Sequence, residues 1–136
     1  MELFQCRPDE IDRAWREGAD TLSEATKWAS REITPDQLKM LLARGERILI
    51  GAREDGAVRG WAAVQVQQLP NIRILYIYAM AGKGICSADG FILLKQYAAS
   101  HGCSSIRGAV RASMARLAQK FGGQPLYQVV EIEVMP

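Results

Sequence analysis

Histidine occurs once in this chain, as His101, and that scarcity removes most relay chemistry. Ser-His-Asp and Cys-His nucleophile arrangements need an imidazole beside the attacking group, whereas His101 directly precedes Gly102, where a helix should end and a cap is needed. Cysteine is nearly as sparse: Cys6, Cys86 and Cys103 are odd in number and lack C-x-x-C spacing. A disulfide framework and a zinc site are both disfavoured, and a reducing cytoplasm is the expected compartment. Cys86 stands near a helix start, but with no His beside it we read it as a buried structural thiol. Long apolar runs are missing too. The longest nearly uncharged one, Ile74 to Ala81, is far shorter than the roughly 20 residues a membrane helix requires. The opening residues carry neither a basic start nor an apolar core, so no secretory signal is expected. Charge of one sign is also lacking: the net charge is +2, with Lys and Arg spread along the chain, so no basic footprint for nucleic acid emerges. Repeats, low-complexity segments and linkers are absent. With 136 residues, 49% of them hydrophobic, the chain is expected to form one domain over residues 1–136.

The pattern turns informative from Asn71 onward. Ile72 to Ala81 is rich in β-branched and aromatic residues and predicts a strand. Gly82-Lys83-Gly84 interrupts it, and Ser87 followed by Phe91, Leu94, Ala98 and Ala99 predicts an amphipathic helix stopping at Gly102. A strand, a glycine loop and a helix start form a corner whose free amides attract phosphate.

Upstream, Leu3 to Cys6 predicts a short strand. Pro8-Asp9 opens a helix carrying Ile11, Ala14, Trp15, Ala19 and Leu22, weakened by Gly18. Thr34-Pro35-Asp36-Gln37 is a capping box, and Gly45 ends the helix that follows. Arg47 to Arg53 and Val58 to Leu69 predict strands joined at Glu54-Asp55-Gly56, the second with Ala62, Val64 and Val66 on one face and Trp61, Ala63, Gln65 and Gln67 on the other. Pro70-Asn71 turns the chain into the next strand, so these three form an antiparallel meander. Downstream, Ser104 to Val110 predicts a strand parallel to its predecessor. A helix containing Met114, Leu117, Ala118 and Phe121 follows, ended by Gly122-Gly123. Tyr127 to Val134 predicts a last strand, with Val130, Ile132 and Val134 opposite Glu131 and Glu133. Together these elements make a mixed α/β sandwich around one mainly antiparallel sheet.

This order, with a glycine loop between the third meander strand and a helix, resembles the Gcn5-related N-acetyltransferase (GNAT) superfamily over nearly the whole chain. In that family the loop has the form R/Q-x-x-G-x-G/A and holds the pyrophosphate of acetyl-CoA. Placing Ala81 to Ala88 on the motif puts Gly84 and Cys86 at its glycine positions and Ala81 at the Arg position. Anchoring on Leu93-Leu94 instead puts Ala88 and Gly90 at the glycines and Ile85 at the Arg. A second block, usually N-x-x-A-x-x-L-Y-x-K-x-G-F, corresponds to Arg111 through Gly123, matching at Leu117, Lys120 and Gly122. Ala118 stands where the family keeps the Tyr that protonates the departing thiolate, and Arg111 where it keeps Asn.

The resemblance implies transfer of an acetyl group from acetyl-CoA, as co-substrate, to an amine on a small molecule or a protein. The residues it implies for acetyl-CoA are Met80, Ala81, Gly82, Lys83, Gly84, Ser87 and Ala88, with Lys83 as a point charge for phosphate. Ser87 serves first as an N-cap. Tyr127 is the candidate general acid in place of the Tyr missing at 118. Tyr76 and Tyr78 share a strand face and read as packing, and no general base is identifiable. Membrane and nucleic acid are not expected as partners; a homodimer is allowed for. Small GNAT-like proteins also occur in bacteriophage genomes, some associated with virions, and a chain with departures at the Arg and Tyr positions resembles these too. That alternative is a catalytically inactive binding or structural module.

Overall fold

The computed structural model describes residues 1–29 and 31–135. One sheet of five strands runs through the molecule in the order β1-β2-β3-β4-β5, with β1 at Glu2–Cys6, β2 at Ile48–Glu54, β3 at Ala57–Gln68, β4 at Arg73–Ala81 and β5 at Ser105–Arg107. Each neighbouring pair among the first four strands is antiparallel, and β5 is parallel to β4. The tight turn between β2 and β3 places Asp55 at φ 51° and Gly56 at φ 77°, the paired left-handed residues that a two-residue hairpin loop requires.

Helices cover both faces. Alternation along β3 sends Trp61 and Ala63 to one core, beneath α1 (Ile11–Arg16), α2 (Leu22–Thr26) and α3 (Pro35–Ala43), which contribute Ile11, Ala14, Leu22, Leu38 and Leu42. Ala62 and Val64 face the opposite core, with Leu75, and meet Leu94 and Ala98 of α4 (Ala88–Ser100). The last helix, α5 (Ala112–Gln119), buries no residue completely; just beyond it, Phe121 stacks on Phe91 of α4 at 5.0 Å between ring centroids.

Three expected elements differ from what forms. The single helix foreseen from Pro8 to Leu22 is divided at Gly18, whose φ of 131° no helix accommodates, so α1 and α2 are short and joined by a 3-10 turn. The strand foreseen over Ser104 to Val110 is confined to β5; just beyond it the chain runs so close to Ile77 that a Cβ on Gly108 would sit 3.1 Å from the Ile77 carbonyl oxygen. The strand foreseen over Tyr127 to Val134 does not form: the segment pairs with no strand among the described residues, and its apolar side chains face solvent.

The capping box at α3 does form. Thr34 Oγ1 accepts from the Gln37 N–H at 3.2 Å, and Gln37 Oε1 accepts from the Thr34 N–H at 2.9 Å. Thr34→Ala is expected to cost about 1 kcal/mol in urea unfolding, while Thr34→Ser should restore most of it.

Candidate functional site

The corner after β4 is built by close packing. Gly82 and Gly84 wrap over Arg59 and Gly60 near the start of β3, closely enough that a Cβ on Gly82 would sit 2.6 Å from the Arg59 carbonyl oxygen. A Cβ on Gly84 would overlap the Arg59 side chain. The Gly84 N–H donates to the Arg59 carbonyl at 3.0 Å, so this glycine amide is committed within the protein. Ile85 then turns fully inward against Gly60.

Ser87 closes the corner. Its Oγ donates to the Gly84 carbonyl at 2.6 Å and accepts from the Gly90 N–H at 3.1 Å, which makes it the N-cap of α4. The Cys86 N–H is likewise engaged, by the Gly82 carbonyl at 3.1 Å. Burial pushes the Cys86 thiol up, away from reactivity. The N–H groups of Gly82, Lys83, Ile85, Ser87, Ala88 and Asp89 meet no acceptor among the described residues, and those of Lys83, Ser87, Ala88 and Asp89 are on partly or fully exposed residues at the mouth of α4. Met80 and Ala81 lead into it from β4, paired with Ala62 and Trp61.

Next to this corner the sheet opens. β4 and β5 pair at Ile74↔Ser105, Leu75↔Ile106 and Tyr76↔Arg107, and there the ladder ends while β4 continues to Ala81. Residues Ile77–Ala81 therefore have a main-chain edge without a strand partner among the described residues, and it runs directly into the loop before α4. Within the same stretch the β3/β4 register slips: Ala63 faces Ala79 but Val64 faces Ile77, so Tyr78 has no opposite number. Such a bulge bends the strand.

Tyr78 anchors a closed polar group on the α1–α3 side. Its hydroxyl donates to Gln65 Oε1 at 2.9 Å and accepts from Gln67 Nε2 at 3.1 Å, the Gln65 amide donates to the Glu46 carbonyl at 3.0 Å, and the Arg47 guanidinium lies 3.4 Å over the ring. These groups satisfy one another, which assigns Gln65, Gln67 and Tyr78 a structural role. Tyr76 packs its ring 4.7 Å from that of Tyr78. Burial pushes the Tyr76 phenol up, followed by the proximity of Tyr78; a backbone hydrogen bond from Ala109 opposes this, and Tyr127 and Glu32 add smaller upward contributions.

Tyr127 lies on an exposed segment with no regular structure and not at the start of a strand as the sequence predicts. His101 is the C-cap residue of α4: its Nδ1 is 2.9 Å from the Tyr97 carbonyl, and its own carbonyl accepts from Arg73 Nε at 2.7 Å. All three cysteines are free, and no group of three potential metal ligands occurs among the described residues.

Sequence reasoning missed the open edge of β4 and the bulge at Tyr78. The available signal was the pairing of Gln-x-Gln at 65–67 with Tyr-x-Tyr at 76–78 on adjacent strands. Their side chains can share one face only in a particular register, which sequence alone does not supply.

No protein-family model and no curated protein sequence matches this chain. Solved structures do. A ribosomal-protein-alanine N-acetyltransferase from Brucella melitensis biovar Abortus 2308 superposes with a TM-score of 0.69 at 15% identity, covering 98% of this chain and 99% of its own. An aminoglycoside acetyltransferase from an uncultured soil metagenomic sample gives 0.66 at 20% identity, with 98% of each chain covered. A predicted acetyltransferase with acetyl-CoA, from Clostridium acetobutylicum, gives 0.64 at 16% identity over 98% of this chain and 96% of its own. Superposition over nearly the whole of each chain shows that this chain has the fold of these acetyltransferases, the GNAT fold.

Proposed function

We propose that this protein transfers an acetyl group from acetyl-CoA to an amine. The observation that carries the reading is the open edge of β4 from Ile77 to Ala81, continuous with the unpartnered amides at the start of α4. An acyl-CoA has matching chemistry: an arm with amide groups that can bond a strand edge, and phosphates that suit helix-start N–H groups and a cation. Among the residues that would hold it, Met80, Ala81 and Gly82 supply backbone beside the arm. Lys83, Ser87 and Ala88 supply charge and amides to the phosphates, and Gly84 shapes the turn rather than donating. Acetyl-CoA supplies the thioester.

The chain's part in the reaction is chiefly positioning, with an amine held for direct attack on the carbonyl. Tyr127 is the phenol we assign to protonate the departing thiolate. The acceptor is an amine on a small molecule or a protein; the names of two of the superposed structures specify a ribosomal-protein alanine and an aminoglycoside. The free thiols accord with a cytoplasmic setting, and among the described residues no helix is long and apolar enough to cross a membrane.

A second reading, an inactive binding or structural module, is favoured by one specific observation: the Gly84 and Cys86 amides are bonded inside the protein. Thermal melting with millimolar acetyl-CoA separates the two. A dissociation constant about ten-fold below the ligand concentration stabilises by about 1.4 kcal/mol and raises the midpoint by roughly 4–6 °C. Lys83→Glu should remove that rise without altering the melt of the free protein. An unshifted wild-type midpoint, with no CoA released across a panel of amines, would leave the module reading standing.

A further inference from the structure

The start of β3 breaks its alternation beside the corner. Residues two apart on an unbroken strand share a face, yet Val58 packs with the α1–α3 core while Gly60 lies under Ile85 on the α4 side. The cause is a bulge: Ala52 faces Gly60 and Arg53 faces Val58, so Arg59 has no opposite number on β2. A bulge beside a site re-aims a side chain, and this one turns Arg59 toward the loop before α4. A Cβ on Gly84 would overlap the Arg59 Cβ, and the Gly84 N–H donates to the Arg59 carbonyl at 3.0 Å. The stem of the arginine is thus held against the glycine turn by its Cβ and by its carbonyl. Beyond the stem the residue is exposed, and among the described residues no carboxylate pairs with it.

Position 59 therefore offers an unpaired guanidinium beside a row of unpartnered amides. From Gly82 to Ala88 the loop's one cation is Lys83, a point charge, and Asp89 sets an exposed carboxylate against it at the same helix start. Lysine and carboxylate leave the corner close to neutral, and Arg59 makes it cationic. Its planar fork bonds two oxygens at once, which suits phosphates joined to each other.

We propose that Arg59 binds the diphosphate of the acyl donor from β3, and that it makes the site prefer a donor with a diphosphate to one whose pantetheine arm ends in a single phosphate. This rests on the acetyl-CoA reading above and adds to it a residue outside the loop and a selectivity.

Calorimetric titration of the full chain with acetyl-dephospho-CoA and with acetyl-4′-phosphopantetheine tests it, since both lack the 3′-phosphate and the first alone has a diphosphate. Wild type is expected to bind the first more tightly. Arg59→Ala should weaken that donor about ten-fold and the second less than about three-fold, and Arg59→Lys should recover part of the loss. Raising the salt from about 0.05 M to about 0.5 M should shrink the difference between wild type and Arg59→Ala. Far-ultraviolet circular dichroism checks that the variants fold; should Arg59→Ala disturb the turn, Arg59→Gln keeps the stem and serves the same comparison. A wild type that binds neither donor overturns the acetyl-CoA reading and this inference with it. Binding that Arg59→Ala leaves unchanged, or weakens equally for both donors, overturns this inference alone. So does a loss that salt does not diminish, which would place the arginine on the adenine ring and not on phosphate.

Discussion

Gly90→Ala is expected to destabilise the protein by about 2 kcal/mol, against the sign that helix propensity alone predicts. Alanine in place of glycine inside a helix ordinarily gains about 1 kcal/mol. Here a Cβ would overlap the Ile85 carbonyl oxygen and lie 2.6 Å from its carbonyl carbon, and both atoms belong to a backbone turn pinned by the Ser87 cap and by the fully buried Ile85 side chain. Relief requires moving α4 away from the corner, an overpacking cost of about 3 kcal/mol that exceeds the propensity gain. Urea unfolding of Gly90→Ala beside wild type measures the balance. A variant as stable as wild type would show that the corner is not packed as described. If acetyl-CoA binds there, the same substitution should weaken the thermal shift as well, because the amides of Ala88 and Asp89 move with the helix.

The second large effect lies one turn further along α4. Leu94 is fully buried beneath the sheet with Val64, Leu75 and Ala98, so Leu94→Ala is expected to cost about 3 kcal/mol, the transfer term plus the cavity left behind. Ile92, two residues earlier and half exposed, provides the contrast: Ile92→Ala should change stability by less than about 0.5 kcal/mol. Comparable losses at the two positions would place the helix in a different rotation about its axis, and with it the amides that face outward at its start.

The parts of this fold that could be foreseen are those decided within a few residues. Thr34 and Gln37 are close enough in sequence to cap one another, Asp55-Gly56 determines its own turn, and the two-residue alternation along β3 assigns Trp61 and Ala62 to opposite cores without reference to the rest of the chain. What could not be foreseen depended on partners. Val130, Ile132 and Val134 carry a strand's alternation, but a strand exists only where an edge accepts it, and among the described residues this segment joins no sheet. The glycines at 82 and 84 illustrate a different ambiguity. Glycine allows close approach of either a ligand or another backbone, and the neighbour found is Arg59–Gly60, more than twenty residues earlier in sequence. For the candidate site, the corner between β4 and α4 could be placed from the sequence, whereas which amides there are bonded within the protein, such as those of Gly84 and Cys86, and the edge of β4 that no motif marks could not.

The pairing of β1 with β2 bears on how the protein is made. Glu2 to Cys6 are synthesised before their ladder partner, Ile48–Glu54, which follows after some forty intervening residues, so at typical synthesis speeds of ~5–20 residues per second they wait for seconds. During that interval Leu3 and Phe4 are exposed to whatever the growing chain meets. Synonymous codons that slow translation between positions 7 and 47 would lengthen this vulnerable period, and the yield of native protein should fall without any change in its sequence.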